Sequence, residues 1–487
     1  MQKEILFRAD GNSAIGLGHL YRLFSLVEML KEHFTFTFLT SESSAINVIP
    51  ERYQQKTIPN QITINEEPNW ISKEFDSNRY LLIADGYQFN SSYQQKIKEH
   101  GFKLIYIDDL ASEHLFADIV INHSPGISKE DFSCESYTKF ALGTNYALLR
   151  PTFLELSTKE NTLQQLDTAF VCFGGADPYD LTLKATKALL KIKQVKRIHI
   201  VLGGAYVHKE IYNLNTDIVK VYQNLSEKKL SKIMIDSNFA IAPSSTILYE
   251  LCCVKMPILS GFYVDNQKKI YNSLAEKGVV YKGGNFSNYS TQKFEELIRK
   301  MLLSTNNYVS KQKELFDGKS KEKYLELLSS FFISFRRAEE KDLNKTFEWS
   351  NDTLVRNNSF NSSKIKFEEH KKWFLNKIYD KNSMFLIAMF NEKEAGVIRF
   401  DLKKDYSIIS ILVAKESRGK KLASALLRLS ANYYFKHTTL PIFAYIKKEN
   451  IASLKSFEKA GYTFHKEEEN DKTHRIIYTL KKNEFFK

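Results

Sequence analysis

Cysteine is scarce in this chain of 487 residues. Cys134, Cys172, Cys252 and Cys253 include one adjacent pair and no CxxC, which excludes a disulfide framework and a zinc cluster. They read as buried thiols in a reducing compartment. No run of about eighteen apolar residues occurs, so no spanning helix and no membrane partner is expected. The opening MQKEILFRADG follows its apolar run Ile5-Leu6-Phe7 at once with charge, which is no signal peptide, and a cytoplasmic protein is expected. A DxD motif is also missing, and no metal is expected. Basic excess is modest: Lys and Arg number 70 against 57 acids, a formal charge of +13. The cations are scattered, without the basic arm or aromatic stripe that nucleic acid requires, yet they suit small anions such as diphosphates.

What is present is apolar material, 43 % of residues, enough for two or three domains. Up to about residue 325, short apolar runs recur at 5–7, 34–39, 81–84, 104–107, 169–173, 198–202, 239–241 and 258–259, each followed by a polar break and helical spacing. Most lack alternation, as parallel strands covered on both faces do. The pattern predicts an α/β fold of two Rossmann-type lobes, residues 1–155 and 156–325, divided within the polar stretch 150–167. Ligands of such sheets bind at the carboxyl ends of the strands. The charged segment 308–329 has helical spacing and either closes this part or links it to the next. After residue 331, FISFRRA, FLIAMF, EAGVIRF, DYSIISILV, PIFAYI and HRIIYTL are strand-like around few helices, which predicts a mixed α+β domain over 332–487.

In the first lobe, a strand runs into the loop Asp10-Gly11-Asn12-Ser13-Ala14-Ile15-Gly16-Leu17-Gly18-His19 and then a helix carrying Leu20, Phe24, Leu26 and Leu30. Gly16 and Gly18 permit close backbone approach, and the first-turn amides suit anionic oxygen. His19 at the junction either takes a proton from water at cytosolic pH or satisfies a loop hydrogen bond. Asp85, Tyr87, Asp108 and Asp109 follow two further strands. They can reach a sugar, orient a base, or cap a turn.

The second lobe places Gly174-Gly175 and Gly203-Gly204 after strands, where backbone amides can approach a ligand. Ser244, Ser245 and Thr246 occupy a strand-to-helix turn whose free amides suit a β-phosphate. Glu250, one turn inside, can accept hydrogen bonds from a ribose diol or lie as a surface glutamate. Asn266 and Gln267 open a further helix, and their amides can bind sugar hydroxyls without adding charge.

GxGH, FGGADP, APSSTILYE and DNQ, in that order over residues 1 to about 300, resemble the GT-B type hydrolases of pseudaminic acid biosynthesis that act on UDP-2,4-diacetamido-2,4,6-trideoxy-β-L-altropyranose. The stretch ALGTNYALLRP resembles that family's inter-lobe segment. The resemblance implies a GT-B-like pair of lobes and inverting attack of water at C1 with UDP leaving. It also implies His19 as general base, Tyr87 and Asn266 in the substrate cleft, and Glu250 on the uridine ribose. A sugar transferase of the same architecture would hold the diphosphate alike. Short connections and the lack of an amphipathic basic face argue against a lipid-linked acceptor, and water is the expected one.

In the last domain, a strand ending in Leu412-Val413 leads to a basic loop and helix start, Arg418-Gly419-Lys420-Lys421-Leu422-Ala423, suited to a pyrophosphate. Asn450 can cap a helix that includes Ser453 and stops at Gly461. Together these resemble the GCN5-related N-acetyltransferase fold, which implies acetyl-CoA as co-substrate. The same resemblance implies that Leu412, Val413, residues 418–423, Asn450 and Ser453 line the acetyl-CoA site. Lys421 departs from a common glycine, and Phe457 stands where many members have a tyrosine that reprotonates the thiolate. Tyr445 or water would have to replace it. The entrance resembles members that acylate nucleotide-linked amino sugars, which implies Trp349, Arg356 and His370 on the substrate side. His370 reads equally as a helix-face residue packed near Trp373 and Phe374. The two halves would then perform consecutive steps on UDP-linked amino sugars, with weak association with enzymes of the same pathway. A legionaminic-type diamino sugar is the alternative substrate.

Overall fold

The run Ile5-Leu6-Phe7 is fully buried, as a strand covered on both faces must be. The computed structural model describes residues 3–12, 15–160, 165–304, 306–470 and 473–485. Ser13 and Ala14 of the first loop, and residues 161–164 of the stretch expected to divide the lobes, lie outside the described residues. The first sheet contains β1 (Glu4–Ala9), β2 (Phe36–Ser41), β3 (Gln55–Ile58), β4 (Tyr80–Asp85), β5 (Lys103–Ile107), β7 (Ile119–Asn122) and β9 (Lys139–Leu142); β6 (His114–Leu115) and β8 (Ser133–Cys134) form a separate pair. Its order is β3-β2-β1-β4-β5-β7-β9, and every pair is parallel. The second sheet contains β10 (Thr168–Val171), β11 (Arg197–Leu202), β12 (Val219–Gln223), β13 (Phe239–Pro243), β14 (Ile258–Phe262) and β15 (Tyr281–Asn285). Its order is β12-β11-β10-β13-β14-β15, again parallel throughout.

Both sheets therefore reverse their winding once, between β1 and β4 and between β10 and β13. In doubly wound folds that reversal opens a crevice at the strand carboxyl ends, and ligands bind there. The helix Gly18–Leu30 covers the first sheet with Leu20, Leu23, Phe24, Leu26 and Val27. The segment 308–329 forms two helices, Tyr308–Leu315 and Ser320–Phe332. Gly318 separates them at φ +74°, where a Cβ would lie 2.5 Å from Ser157 Oγ.

The chain divides into two units, Glu4–Lys323 and Tyr324–Lys487, the latter including Lys3. The second is built on β16 (Ile333–Arg337), β17 (Ser383–Phe390), β18 (Lys393–Leu402), β19 (Ser407–Val413), β20 (Ile442–Lys447), β21 (Thr463–Asn470) and β22 (Thr473–Leu480), in the order β16-β17-β18-β19-β20-β22-β21. All neighbours are antiparallel except β19 and β20, which pair in parallel only at Ser407↔Ile442 and Ile408↔Phe443. Beyond that point β19 continues along β18 to Val413, while β20 continues along β22 to Lys447. The two strands splay, leaving backbone groups along the wedge without a sheet partner. The fold is thus α/β with two Rossmann-type sheets, followed by a mixed α+β acetyltransferase-like unit. Among the described residues no helix is long and apolar enough to cross a membrane.

Candidate functional site

The loop after β1 closes on itself: the Gly16 amide donates to Asn12 O at 2.8 Å, and Gly16 adopts φ +79°. Gly18 opens the helix, and His19, its second residue, is 7 % exposed. His19 Nδ1 lies 2.7 Å from Oδ1 of Asp85, the buried last residue of β4. Arg22, one turn further on, grips the same carboxylate through Nε at 2.8 Å and Nη2 at 2.5 Å, and reaches Asp109 through Nη1. Arg22 Nη2 is also 3.0 Å from His19 Nδ1. An ionised carboxylate only accepts, so the His19 nitrogen 2.7 Å from Asp85 Oδ1, Nδ1, is the one that carries the imidazole proton. Nε2 is then left as a lone-pair base.

Burial works against the Arg22 charge, but Asp85 and Asp109 outweigh it and hold the guanidinium well above its ordinary value. Burial likewise opposes the Asp109 charge, and Arg22 keeps that carboxyl below the usual range. Tyr87 is 54 % exposed, stands edge-on to His19 with centroids 4.7 Å apart, and directs its hydroxyl to Asp109 at 3.4 Å. Asp108 instead accepts the Leu110 and Ala111 amides at 3.2 and 2.7 Å, so it caps its own turn. Sequence reasoning missed Arg22, although its spacing of three residues from His19 puts both on one helix face. It also missed His123, just past β7. His123 is buried, accepts the Leu148 amide on Nδ1 at 3.3 Å, and is pushed down to about 4, chiefly by burial. Its neighbour Asn122 has a buried Nδ2 without a partner among the described residues.

In the second sheet, Gly174 follows β10 at φ +84°, and Gly175 has open space where a Cβ would stand. Gly203 corrects the sequence reading. A Cβ there would lie 2.3 Å from both Gly174 O and Gly175 O, so this glycine makes room for the other loop rather than for a ligand. Ser244 is fully buried, with its hydroxyl on Ser260 Oγ at 3.0 Å. Ser245 precedes the helix Thr246–Val254 without capping it through its side chain. The Thr246 and Ile247 amides accordingly have no backbone partner among the described residues. Glu250 is buried, and its two oxygens receive Arg150 Nε and Nη2 at 2.8 Å each. Burial nevertheless raises its carboxyl to about 7. Gln267 accepts the Tyr263 amide at 3.1 Å, whereas Asn266 is exposed. These second-sheet groups follow β10, β13 and β14, and those around His19 follow β1, β4 and β5, so each set collects at its own sheet's reversal.

In the other unit, a cavity of about 490 Å³ is lined by Arg356, Glu369, His370 and Trp373 on one side and by Ser410, Ile411 and Leu412 of β19 on another. Arg356 directs its Nη atoms to Asn361 O, Ser363 O and Ser359 Oγ, while its buried Nε has no partner among the described residues. His370 lies 3.2 Å from Thr346 Oγ1 and stacks on Phe374; burial, then Arg356, lowers its pKa. It is at once a packed helix-face residue and a cavity wall. Trp349 is buried outside that lining, and Trp373 takes the wall position.

The region implied for acetyl-CoA fits a pyrophosphate on one direct observation. Gly419, at φ +78°, has no heavy atom within 4 Å of where a Cβ would be. The amides of residues 419–421 make no backbone hydrogen bond among the described residues, just ahead of the helix Leu422–Phe435. Lys421 sits in the left-handed region at φ +56°, which is why glycine is usual there. Leu422 is buried and Ala423 half-buried in the first helical turn. Arg418 donates to Val413 O at 3.1 Å and pairs with Asp352 at 2.8 Å, while Lys420 extends over the Phe390 ring. Asn450 caps its helix through the Ser453 amide at 3.1 Å. Phe457 is buried against Tyr462, and the Tyr445 ring lies under Arg475.

Residues 333–463 match the acetyltransferase (GNAT) domain family. The chain is 23 % identical over 495 aligned positions to an uncharacterised protein of Methanocaldococcus jannaschii, covering 94 % of this chain and 96 % of that one. Both halves therefore align within one other polypeptide. The spore coat polysaccharide biosynthesis protein SpsG of Bacillus subtilis is 25 % identical over 279 residues, 56 % of this chain and 81 % of its own. The UDP-2,4-diacetamido-2,4,6-trideoxy-beta-L-altropyranose hydrolase of Campylobacter jejuni is 30 % identical over 293 residues, 57 % of this chain and 99 % of its own. With that relative matched along nearly its whole length, the chain belongs to the UDP-2,4-diacetamido-2,4,6-trideoxy-β-L-altropyranose hydrolase family, joined here to a GNAT acetyltransferase domain.

Proposed function

We propose that the chain is a bifunctional cytoplasmic enzyme of pseudaminic acid biosynthesis. Its GNAT domain acetylates the 4-amino group of UDP-4-amino-4,6-dideoxy-β-L-AltNAc. Its two Rossmann-type lobes then hydrolyse UDP-2,4-diacetamido-2,4,6-trideoxy-β-L-altropyranose to the free sugar and UDP. The observation that carries this reading is the His19–Asp85 contact at the strand reversal of the first sheet, which leaves Nε2 free to act as a base. Water gives its proton to Nε2 as its oxygen bonds to C1. The C1–O bond on the opposite face breaks, and its electron pair leaves with UDP, so the anomeric centre inverts. Ser245 and the Thr246 and Ile247 amides would hold the departing diphosphate, with Gly175 giving its backbone access. Such donors act on charge as it grows in the transition state. Glu250 would take the ribose diol, and Tyr87, Asn266 and Gln267 would face the sugar.

In the GNAT domain, Arg356, His370 and Trp373 would hold the amino sugar against β19. Acetyl-CoA, when bound, supplies the acyl group as a thioester. Leu412, Val413 and residues 418–423 would orient it, with Asn450 and Ser453 at the neighbouring helix start. The amine attacks the carbonyl carbon, its nitrogen gives up a proton to water, and the C–S bond breaks with its electron pair leaving on sulfur. Phe457 has no proton to give the departing sulfur, so Tyr445 or water supplies it.

The test is to incubate the purified chain with the UDP-4-amino sugar and acetyl-CoA, following thiol and UDP by mass and NMR. His19→Ala should abolish UDP release while thiol release continues. Equal loss of both products from a folded variant would refute the division of labour.

A further inference from the structure

A fully buried carboxylate must be neutralised. Around Asp85 two groups can do this, the Arg22 guanidinium and a protonated His19, and they share the same oxygen at 2.5 and 2.7 Å. If His19 supplied the charge, Nε2 would carry a proton and no base would remain. We propose that Arg22 is a positioning residue for UDP-sugar hydrolysis: it supplies the cation that Asp85 requires, so that His19 can contact that carboxylate through Nδ1–H and keep Nε2 as the base. This rests on the reading of His19 as the base.

The surroundings leave that role to Arg22. His19 is faced by Asp85 from the end of β4, by Tyr87 from the following loop, and by Arg22 from its own helix. Asp109, past β5, lies close enough for its carboxylate to feel His19, and it also feels His123, past β7. Among the described residues, Arg22 is the one lysine or arginine in ion-pair contact with either Asp85 or Asp109. Removing it would leave the imidazole beside two carboxylates, and each favours the protonated ring. The guanidinium fork also holds both oxygens of Asp85. A point charge of the same sign could neutralise Asp85 without fixing its plane.

The test is the pH dependence of kcat/KM for UDP release by the full chain, comparing wild type with Arg22→Met, Arg22→Lys and Asp109→Asn. With Arg22→Met the acid limb should move up by about 1–2 pH units. Well below the wild-type limb the variant should therefore lose about ten- to a hundredfold, and it should regain most of it at about pH 9. Arg22→Lys should keep the limb near its wild-type position with a lower plateau. Asp109→Asn should move the limb the other way, because Arg22 then has one carboxylate fewer to balance it. A loss in Arg22→Met that does not recover with pH overturns the inference, as does an Asp109→Asn shift toward higher pH. If Arg22→Met fails to fold, the lysine and Asp109→Asn profiles decide the matter. UDP release that survives His19→Ala would instead overturn the assignment of the base itself.

Discussion

Replacing Asp85 by asparagine keeps the shape of the most buried polar group at the proposed hydrolytic site and removes its charge. In the wild type, Oδ1 accepts from His19 Nδ1 and Arg22 Nη2, and Oδ2 accepts from Arg22 Nε. A carboxamide has one oxygen and one NH₂, so in either orientation its NH₂ opposes a guanidinium N–H. With NH₂ toward His19, the amide donates to Nδ1, the imidazole proton moves to Nε2, and the base is lost. With oxygen toward His19, the tautomer survives, but the imidazolium formed in the transition state has lost a carboxylate at 2.7 Å. Removing the equivalent charge from a serine protease triad costs about 10⁴ in kcat. A loss of about 10³–10⁴ is expected here, or about 4–5.5 kcal/mol. The assay is UDP release at saturating sugar nucleotide, with thiol release on the same preparation as the internal control. Asp85→Asn activity within about tenfold of wild type, in a chain whose thiol release is intact, would refute the base–carboxylate argument.

Glu250 gives a prediction for stability. Its carboxyl, raised by burial to about 7 from 4.5, binds a proton more tightly folded than unfolded. The resulting stability is present below about pH 4.5 and is lost as pH rises through about 7, an effect on the order of 3 kcal/mol. Chemical unfolding of wild type and Glu250→Gln between about pH 4.5 and 8 should show the difference between them changing by that order; parallel curves would contradict it. Gly203→Ala places a Cβ against two backbone oxygens at 2.3 Å. It should cost about 1–3 kcal/mol and weaken UDP binding by displacing the Gly174-Gly175 loop. Calorimetry that finds both the melting temperature and the UDP affinity unchanged would reject that account.

The strands legible in the sequence are mainly those buried on both faces, because two-sided burial writes an unbroken apolar run. Those missed are mostly edges. β3 and β9 flank the first sheet, β12 and β15 the second, and β21 the third. An edge strand needs one backbone neighbour and tolerates polar side chains, as Gln55-Lys56-Thr57 and the run Lys466-Glu467-Glu468-Glu469 do. β21 is held by cross-strand charge pairing, with Arg475 on Glu468 at 2.6 Å. β15 writes no apolar run because it carries Gly283-Gly284, yet a Cβ at Gly283 would meet Ser260 O at 2.5 Å. The glycine that hides the strand is what lets it pair. At the site, His19 was legible because it stands where the loop turns into a helix, and Asp85 because it ends a strand. Pairing of Arg150 with Glu250 was not, since one hundred positions separate them and only the fold brings them together.

Lys421 shows how a local departure from a family pattern acquires its meaning only from backbone geometry. As sequence, lysine in place of glycine suggests crowding or added charge at the pyrophosphate. The structure places it at φ +56° with its side chain exposed. The substitution therefore costs about 1–2 kcal/mol of backbone preference and leaves the open space at Gly419 untouched. Arg418 points the other way: its guanidinium is taken by Val413 O and Asp352, so it fastens the loop to the end of β19. The proposed hold on the pyrophosphate then falls to the amides of residues 419–421 ahead of the helix Leu422–Phe435, with Lys420 and Lys421 adding charge. The same device, amides with no backbone partner among the described residues at a helix start following a strand, recurs at Thr246 and Ile247. On the proposed reading, two unrelated folds in one chain use one solution for a diphosphate, because a helix start supplies oriented donors without introducing a charge that would itself have to be desolvated.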